Sequence, residues 1–352
     1  MTRLGVSAAL VEGEWVPGDV SVVEGRVDLV GLPPAAGRRV AASGFVDRQL
    51  NGFAGVDFKA ADPGGYAVAG EALLAHGVTR YLPTFYSATV DEYVAALRAL
   101  HEVHRAPPHG ARPGGAHLEG PFLDPTWAGA HDRRRLLEPD PVIADRLLDA
   151  GPVELVTLAP ELPGGLDLVR RLVARGVRVS IGHSDATAEQ CHEAFDAGAS
   201  MLTHCFNAHR RFAGRDPGPT GAALTDPRVE VGLIADGIHV ADDALRLVAA
   251  AAPTRMVLVT DAIAPAGTGA ATWGMGRATV TISEGAARLA DGTLAGSVAT
   301  MDGCVRHMIG LGVPAEVVLR AAGGDRLRPG GPADLVVLDD AWQVVDTIPA
   351  AF

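Results

Sequence analysis

Cysteine is scarce in this 352-residue chain. The three present, Cys191, Cys205 and Cys304, form no Cys-x-x-Cys pair, and so few thiols cannot brace a chain of this length. That excludes a disulfide scaffold and points to a reducing, cytoplasmic setting. Long hydrophobic runs are missing too: none approaches the roughly 20 residues a bilayer span requires. The stretch from Leu4 to Val11 is broken by Ser7 and followed by Glu12 and Glu14, a poor signal-peptide core. A soluble, unexported protein with no membrane partner is expected. Positive charge is in deficit, with 30 Lys plus Arg against 42 Asp plus Glu and a net charge of −12. Nothing favours a nucleic-acid partner, and any phosphate must be bound locally. There is no His-Glu-x-x-His and no other short-spacing zinc motif.

What is abundant is glycine (43) and proline (24), beside 48% apolar residues, a mixture that suits many tight turns between small-residue strands and helices. Residues 1–43 read as short strands, Leu4–Val11, Val20–Val23 and Val27–Val30, closed by Pro33-Pro34 and Gly37. From Gly44 a unit repeats in which a short apolar run ends in polar residues and an Ala/Leu-rich stretch of helical spacing follows. The runs are Phe45–Leu50, Val78–Phe85, Ala116–Glu119, Val153–Ala159, Val177–His183, Met201–Phe206, Val229–Ala235 and Arg255–Asp261. Helix candidates lie at Tyr66–Ala75, Val90–His104, Leu166–Ala174, Ala188–Ala197 and Asp242–Ala251.

Eight such units predict an α/β chain folded as a closed (β/α)8 TIM-like barrel. Insertions at Leu123–Asp140 and Ala208–Thr220 follow strand carboxyl ends, where barrels place substrate loops. A hairpin at Ala278–Ile282 and Ala287–Leu289, with Asp291-Gly292, precedes helices at Thr300–Leu311 and Pro314–Ala321. The tail returns to strands at Ala333–Leu338 and Gln343–Val345. The expected organisation is therefore a barrel at 44–327 and a small β-sandwich built from both termini, 1–43 with 328–352.

The ends of parallel barrel strands converge on one pocket. Glu119 ends the third run, His183 the fifth, and His204 lies in the sixth. Two imidazoles and one carboxylate match a catalytic zinc-type triad that leaves a coordination position open for water. Asp261, ending the eighth run, is placed to take a proton from such a water and return it to a leaving group. Asp236, followed by Gly237, reads as a turn residue. Cys205 should face the helices if His204 faces the pocket. Arg215, in the second insertion, either offers paired donors to a phosphate or is a solvated loop residue; Arg210 and Arg211 read as solvent-facing. His131 and His239 are loop residues able to reach a ligand.

The strings His117-Leu118-Glu119-Gly120-Pro121-Phe122, Gly129-Ala130-His131-Asp132, Gly182-His183-Ser184, Asn207-Ala208, Ala235-Asp236-Gly237-Ile238-His239 and Val259-Thr260-Asp261-Ala262 together resemble the N-acetylglucosamine-6-phosphate deacetylases of the amidohydrolase superfamily. The resemblance runs from about residue 44 to residue 338. It implies one divalent metal ion per subunit, zinc first with iron, cobalt or manganese as alternatives, held by Glu119, His183 and His204, with Asp261 as catalytic acid and base. It also implies contact with an amino-sugar phosphate by Ala130, His131, Asn207, Ala208, Arg215 and His239, closure by Leu294-Ala295-Gly296, and a homodimer that could supply His239 from the neighbouring subunit. Three departures stand out. Gln49-Leu50-Asn51 replaces the His-x-His that holds a second metal in many amidohydrolases, His209 stands where Met commonly follows Asn-Ala, and Leu319–Ala333 is short, its helix extension compressed into Gly323–Arg326.

Overall fold

The computed structural model describes residues 1–275, 278–324 and 327–350. Its centre is a parallel barrel of β1 (Phe45–Leu50), β2 (Val78–Phe85), β3 (Ala116–Glu119), β4 (Val153–Leu158), β5 (Arg178–Ile181), β6 (Met201–Leu202), β7 (Glu230–Ile234) and β8 (Met256–Val259), each hydrogen-bonded to the next. The ring closes where the Asp261 N–H donates to the Gln49 carbonyl and the Asn51 N–H to that of Ala262, both at 2.8 Å. Several strands stop earlier than the apolar runs predict. The runs at Val177–His183 and Met201–Phe206 lose their ends because His183, His204 and Phe206 adopt positive φ (48°, 27° and 73°), which no extended strand contains.

Outside the barrel lie α1 (Pro63–Leu74), α2 (Val90–Arg105), α3 (Pro141–Leu148), α4 (Gly165–Ala174), α5 (Ala188–Asp196), α6 (Gly218–Thr225), α7 (Asp242–Ala251), α8 (Met301–Gly310) and α9 (Ala315–Ala322). Their starts are chemically marked: Thr89 and Glu92 form a capping box on α2, and Thr187 and Gln190 do the same on α5. Two helices escape the sequence reading. The helix α3 spans only eight residues, too few for a periodic pattern. Residues Gly218–Leu224 of α6 are all buried, so it has no polar face to produce one, and it occupies the end of the expected insertion at Ala208–Thr220.

Both chain ends meet in one five-stranded sheet, ordered Val344–Ile348, Leu335–Leu338, Val40–Ser43, Ala8–Val11 and Glu14–Pro17. A second sheet joins Thr2–Arg3, Ser21–Val23 and Arg26–Val27. Alternation along Leu335–Leu338 explains how the larger sheet is used: Leu335 and Val337 enter the terminal core with Val6, Val20 and Val27, while Val336 and Leu338 join the core around the barrel. The shortened segment makes direct ties, Gly324 N–H to the Gly44 carbonyl at 3.2 Å and Leu327 N–H to Ser43 Oγ at 2.9 Å. Asp325 and Arg326 lie outside the described residues.

The expected hairpin is a four-stranded antiparallel sheet, Thr272–Met275, Ala278–Ser283, Ala286–Arg288 and Leu294–Ser297, packed through Val280, Ala287 and Ala295 on Ile263. It covers the carboxyl end of the barrel. No helix among the described residues is long and apolar enough to cross a membrane.

Candidate active site

The barrel interior is layered. Leu82, Leu155, Met201, Ile234, Val257 and Val259 form one buried apolar cluster. A chain of buried polar groups connects His117 Nε2 to Thr157 at 2.7 Å, Thr157 to Thr203 at 2.8 Å and Thr203 to Ser180 at 2.6 Å. Burial pushes His117 down to about 4, so this platform is uncharged near neutrality. Gly182 continues the inward face of β5, where a Cβ would strike Thr157 and Thr203. Next along the chain His183 turns left-handed, and His204 does the same after Thr203. These bends bring both imidazoles over the barrel, whereas unbroken alternation after Gly182 and Thr203 would face them outward. Cys205 packs toward α6, its sulfur 3.9 Å from Thr220 Oγ1, as expected; the bend at His204, more than strand alternation, sends it there.

Glu119 Oε1 lies 3.2 Å from His183 Nε2 and 3.0 Å from His204 Nε2, and the two Nε2 atoms are 3.1 Å apart. His183 Nδ1 meets the Trp127 carbonyl at 2.8 Å, and His204 Nδ1 meets that of Asn207 at 3.1 Å. A carbonyl can only accept, so each Nδ1 carries a proton and each neutral ring turns a bare Nε2 lone pair toward the carboxylate. Three acceptors thus converge where a cation would satisfy all of them at once. The ionisable groups of the cluster are strongly perturbed. Burial works against charge on Glu119, yet the surrounding imidazoles hold it well below the usual carboxylate range. Burial pushes His183 down to about 4. It opposes charge on His204 too, but Glu119 and Asp261 outweigh it and move that ring up. The donor set fits a divalent metal, and its candidate ligand atoms lie within 4.8 Å of one another.

Asp261 sits beside this triad with a left-handed backbone (φ 50°). Its Oδ1 accepts from Asn51 Nδ2 at 2.7 Å and from Gln49 Nε2 at 3.2 Å, and Gln49 Nε2 also donates to Glu119 Oε1 at 2.9 Å. The amides that replace His-x-His therefore bridge the two carboxylates with N–H donors. Burial and the neighbouring Glu119 charge push Asp261 up to about 6. His131 Nδ1 accepts from the Ser87 N–H at 3.2 Å, which leaves the proton on Nε2, 3.7 Å from Glu119 Oε2. His239 Nδ1 pairs with Asp236 Oδ2 at 2.7 Å, and Asp236 Oδ1 accepts the N–H groups of Ile238 and His239 at 2.9 Å each. Asp236 is the turn residue that its Asp-Gly pair suggests, but it also orients a pocket imidazole.

One cavity of about 450 Å³ holds the triad and Asp261 together with Ala130, His131, Asn207, Ala208, His239, Leu294, Ala295 and Gly296. His239 lines the cavity of its own chain. Arg215 is the expected residue that is not brought in: it lies exposed on the loop after His209 and does not line the cavity. Arg210, expected in solvent, is half-buried and clamped, donating to Asp185 Oδ2 at 3.0 Å and to Asp216 at 2.8 Å. His209 packs behind His204, ring centroids 6.0 Å apart, and is buried away from the cavity. The sequence reading missed Asp185, which accepts from Trp127 Nε1 at 2.8 Å and so fixes the loop whose carbonyl orients His183. It also missed Arg288, which lines the cavity. The Ser184-Asp185 pair after His183 was the available signal for the first; nothing in the local sequence marked the second.

Acceptors awaiting a cation beside a protonatable carboxylate, at the loop end of a closed barrel, define a metal-dependent hydrolase of the amidohydrolase class. No family model matches the chain. Curated relatives do. The chain is 40% identical over 342 residues to the N-acetylglucosamine-6-phosphate deacetylase of Homo sapiens and 39% identical over 337 residues to that of Mus musculus, each alignment covering 88% of this chain and 82% of the relative. It is 36% identical to the N-acetylgalactosamine-6-phosphate deacetylase of Escherichia coli O157:H7, covering 97% of this chain and 90% of that one. Among solved structures, a mutant N-acetyl-D-glucosamine-6-phosphate deacetylase of Mycobacterium smegmatis in complex with N-acetyl-D-glucosamine-6-phosphate superposes with a TM-score of 0.92 at 34% identity, covering 99% of this chain and 98% of that one. The Thermotoga maritima enzyme gives 0.91 at 29% identity, with the same coverage. The chain belongs to the N-acetylglucosamine-6-phosphate deacetylase family.

Proposed function

We propose that this protein hydrolyses the acetamide of N-acetylglucosamine 6-phosphate to glucosamine 6-phosphate and acetate, in the cytoplasm, with residues 44–327 as its catalytic unit. The observation that carries the reading is the convergence of Glu119, His183 and His204 beside Asp261 in one cavity. Glu119, His183 and His204 hold one divalent metal, zinc by the chemistry of two imidazoles and a carboxylate. When bound, such an ion polarises a carbonyl and lowers the pKa of water from about 15.7 to about 7. The Gln49 and Asn51 amides are poor metal ligands and already bond the carboxylates, which supports a single ion.

The protein's own groups then divide the work. Asp261 accepts a proton from the attacking water and delivers it to the amide nitrogen, which leaves poorly as an anion. Asn51 and Gln49 fix the carboxylate for both transfers. His131, with its proton on Nε2, donates to the acetamide oxygen as negative charge develops there. His239, with Nδ1–H held by Asp236, offers Nε2 to a sugar hydroxyl. Leu294-Ala295-Gly296 closes over the ring, and Gly296 is required because a Cβ would meet the Asp261 carbonyl at 2.8 Å.

A second reading changes only the sugar epimer, and the relative named N-acetylgalactosamine-6-phosphate deacetylase supports it. The deciding experiment measures acetate released from the two sugar phosphates side by side, with metal content per chain determined on the same preparation. The glucosamine epimer should turn over at least tenfold faster, with about one metal ion bound. A reversed preference favours the second reading, and no acetate from either removes both.

A further inference from the structure

Beside the cavity of about 450 Å³ lies a recess of about 10 Å³, room for one water-sized group. Asn51, Tyr86, Ile263 and Met275 line both spaces, so the recess is a side branch of the pocket, while Ala264 and Trp273 line only the recess. Tyr86 directly follows β2, and its ring is held on two sides. Its hydroxyl donates to Asp57 Oδ2 at 2.9 Å, and Lys59 Nζ stands 3.4 Å from the ring centroid, a cation–π contact. The Lys59 N–H also donates to Asp57 Oδ1 at 3.0 Å, which ties the two restraints together. A ring fixed at edge and face is a wall that yields little to a larger group.

The place of that wall in the barrel decides which part of the substrate meets it. Asn207 and Ala208 follow β6 and His239 follows β7. In a ring of eight strands the loop after β2 stands across the pocket from the loop after β6. A sugar held on the β6–β7 side therefore leaves Tyr86 on the far side of the reacting carbonyl. The groups that act on that carbonyl are braced from the recess: Asn51 Nδ2 donates to Asp261 Oδ1 at 2.7 Å, and the N–H of Ser87, next to Tyr86, donates to His131 Nδ1 at 3.2 Å. An amide carbon carries its substituents in one plane. With the oxygen toward His131 and the nitrogen toward the sugar, the methyl is the group left to face the recess.

We infer that this recess receives the acyl methyl and that Tyr86 is a specificity-determining residue, restricting the acyl group to acetyl. The inference rests on the proposed deacetylase reading and deepens it. One methylene more or less in an apolar pocket changes kcat/KM by roughly 10- to 200-fold, and a recess of this size has no space for the extra one.

The test compares N-acetyl- and N-propionylglucosamine 6-phosphate in two assays. In the first, wild type should favour the acetyl sugar in kcat/KM by about 10- to 200-fold, and Tyr86→Ala should bring the two within about threefold by raising turnover of the propionyl sugar. Tyr86→Phe keeps the ring and should keep most of the preference. Met275→Ala opens the recess from another wall and should narrow the ratio too, which decides the matter if Tyr86→Ala does not fold. A wild type that takes both sugars alike, or a folded Tyr86→Ala with the wild-type ratio, overturns the inference. In the second assay, calorimetric binding is measured in protein carrying Asp261→Asn to slow turnover. The acetyl sugar should bind at least tenfold tighter than the propionyl one, and Tyr86→Ala should close the gap. A wild type that releases no acetate overturns the deacetylase reading, and the binding assay still decides the role of Tyr86: equal binding of the two sugars, or binding of neither, overturns the inference.

Discussion

At the amino-terminal end of the barrel, Arg48, Arg80, Arg112 and Arg178 surround a cavity of about 780 Å³; at the carboxyl end, Glu119, His183, His204 and Asp261 line one of about 450 Å³. The larger cavity is the quieter one. Arg80 pairs with Glu154 at 2.6 Å and Arg112 with Asp334 at 3.0 Å, while Arg48 and Arg178 share Glu230. Each charge there has an opposite partner and contact with water. At the carboxyl end the charged groups are buried, their acceptors converge on one point, and His183, His204 and Asp261 all hold left-handed backbone, a conformation worth about 1–3 kcal/mol of strain per residue. Cavity size therefore does not locate the chemistry. Unmet charge in a strained, desolvated setting does.

The sharpest way to break that contrast is Glu119→Gln. An amide cannot supply the anionic ligand that two imidazoles require, so metal content per chain should fall from about one toward zero. Losing the metal removes several kcal/mol of barrier lowering, and acetate release should drop by on the order of 10³ or more. Arg80→Ala at the opposite end should keep metal and turnover within about threefold. If Glu119→Gln retains its metal, or if Arg80→Ala loses activity as deeply, the two ends are not the different environments described here.

A smaller effect is expected at Asp47, which is fully buried among neutral hydrogen-bond donors. It accepts from the N–H groups of Gln49 and Thr260 at 3.2 Å each and from the Thr260 hydroxyl. Burial, only partly offset by these donors, pushes its carboxyl up to about 7. A folded-state value above the unfolded one near 3.9 means that the native protein holds the extra proton between those limits. Stability is then greatest below pH 4 for this group and is lost as pH rises toward 7, by on the order of 4 kcal/mol in total. Asp47→Asn removes that titration. Urea unfolding at pH 5 and pH 8 should show the variant gaining about 3 kcal/mol on wild type over the interval. A pH-independent difference would show that Asp47 ionises alike in both states.

The same two ends show what could be read from the chain alone. The barrel was legible because its eight apolar runs and most of its helices keep their periods, and the triad was legible because ligand-type residues stand at the ends of separate runs. Helix α6 was not, since a segment buried on every side carries no amphipathic signal. Arg210 departed from its expected place in solvent for a related reason: loop charges find partners across the fold, and Asp185, which clamps Arg210, lies 25 residues away in sequence. Arg288 lies in a hairpin that was read from its strands and turn, but nothing in those segments showed that it meets the cavity. Local pattern reports faces and ends of elements; it does not report which loops meet.

The mildest test concerns the amino-terminal ion pairs themselves. Arg80 and Glu154 side chains are 40% and 39% exposed, so water screens them and their coupling should be only about 0.2–1 kcal/mol. Glu154 also accepts from the Gly115 N–H at 3.2 Å, so Glu154→Ala alone removes two interactions and overstates the pair. A double-mutant cycle of Arg80→Ala and Glu154→Ala, read by urea unfolding, isolates the coupling. It should shrink further at 1 M salt, where the screening length is about 3 Å. A coupling above about 2 kcal/mol that resists salt would mean these charges are held away from water like those at the carboxyl end, and the amino-terminal cavity would then have to be considered as a second site.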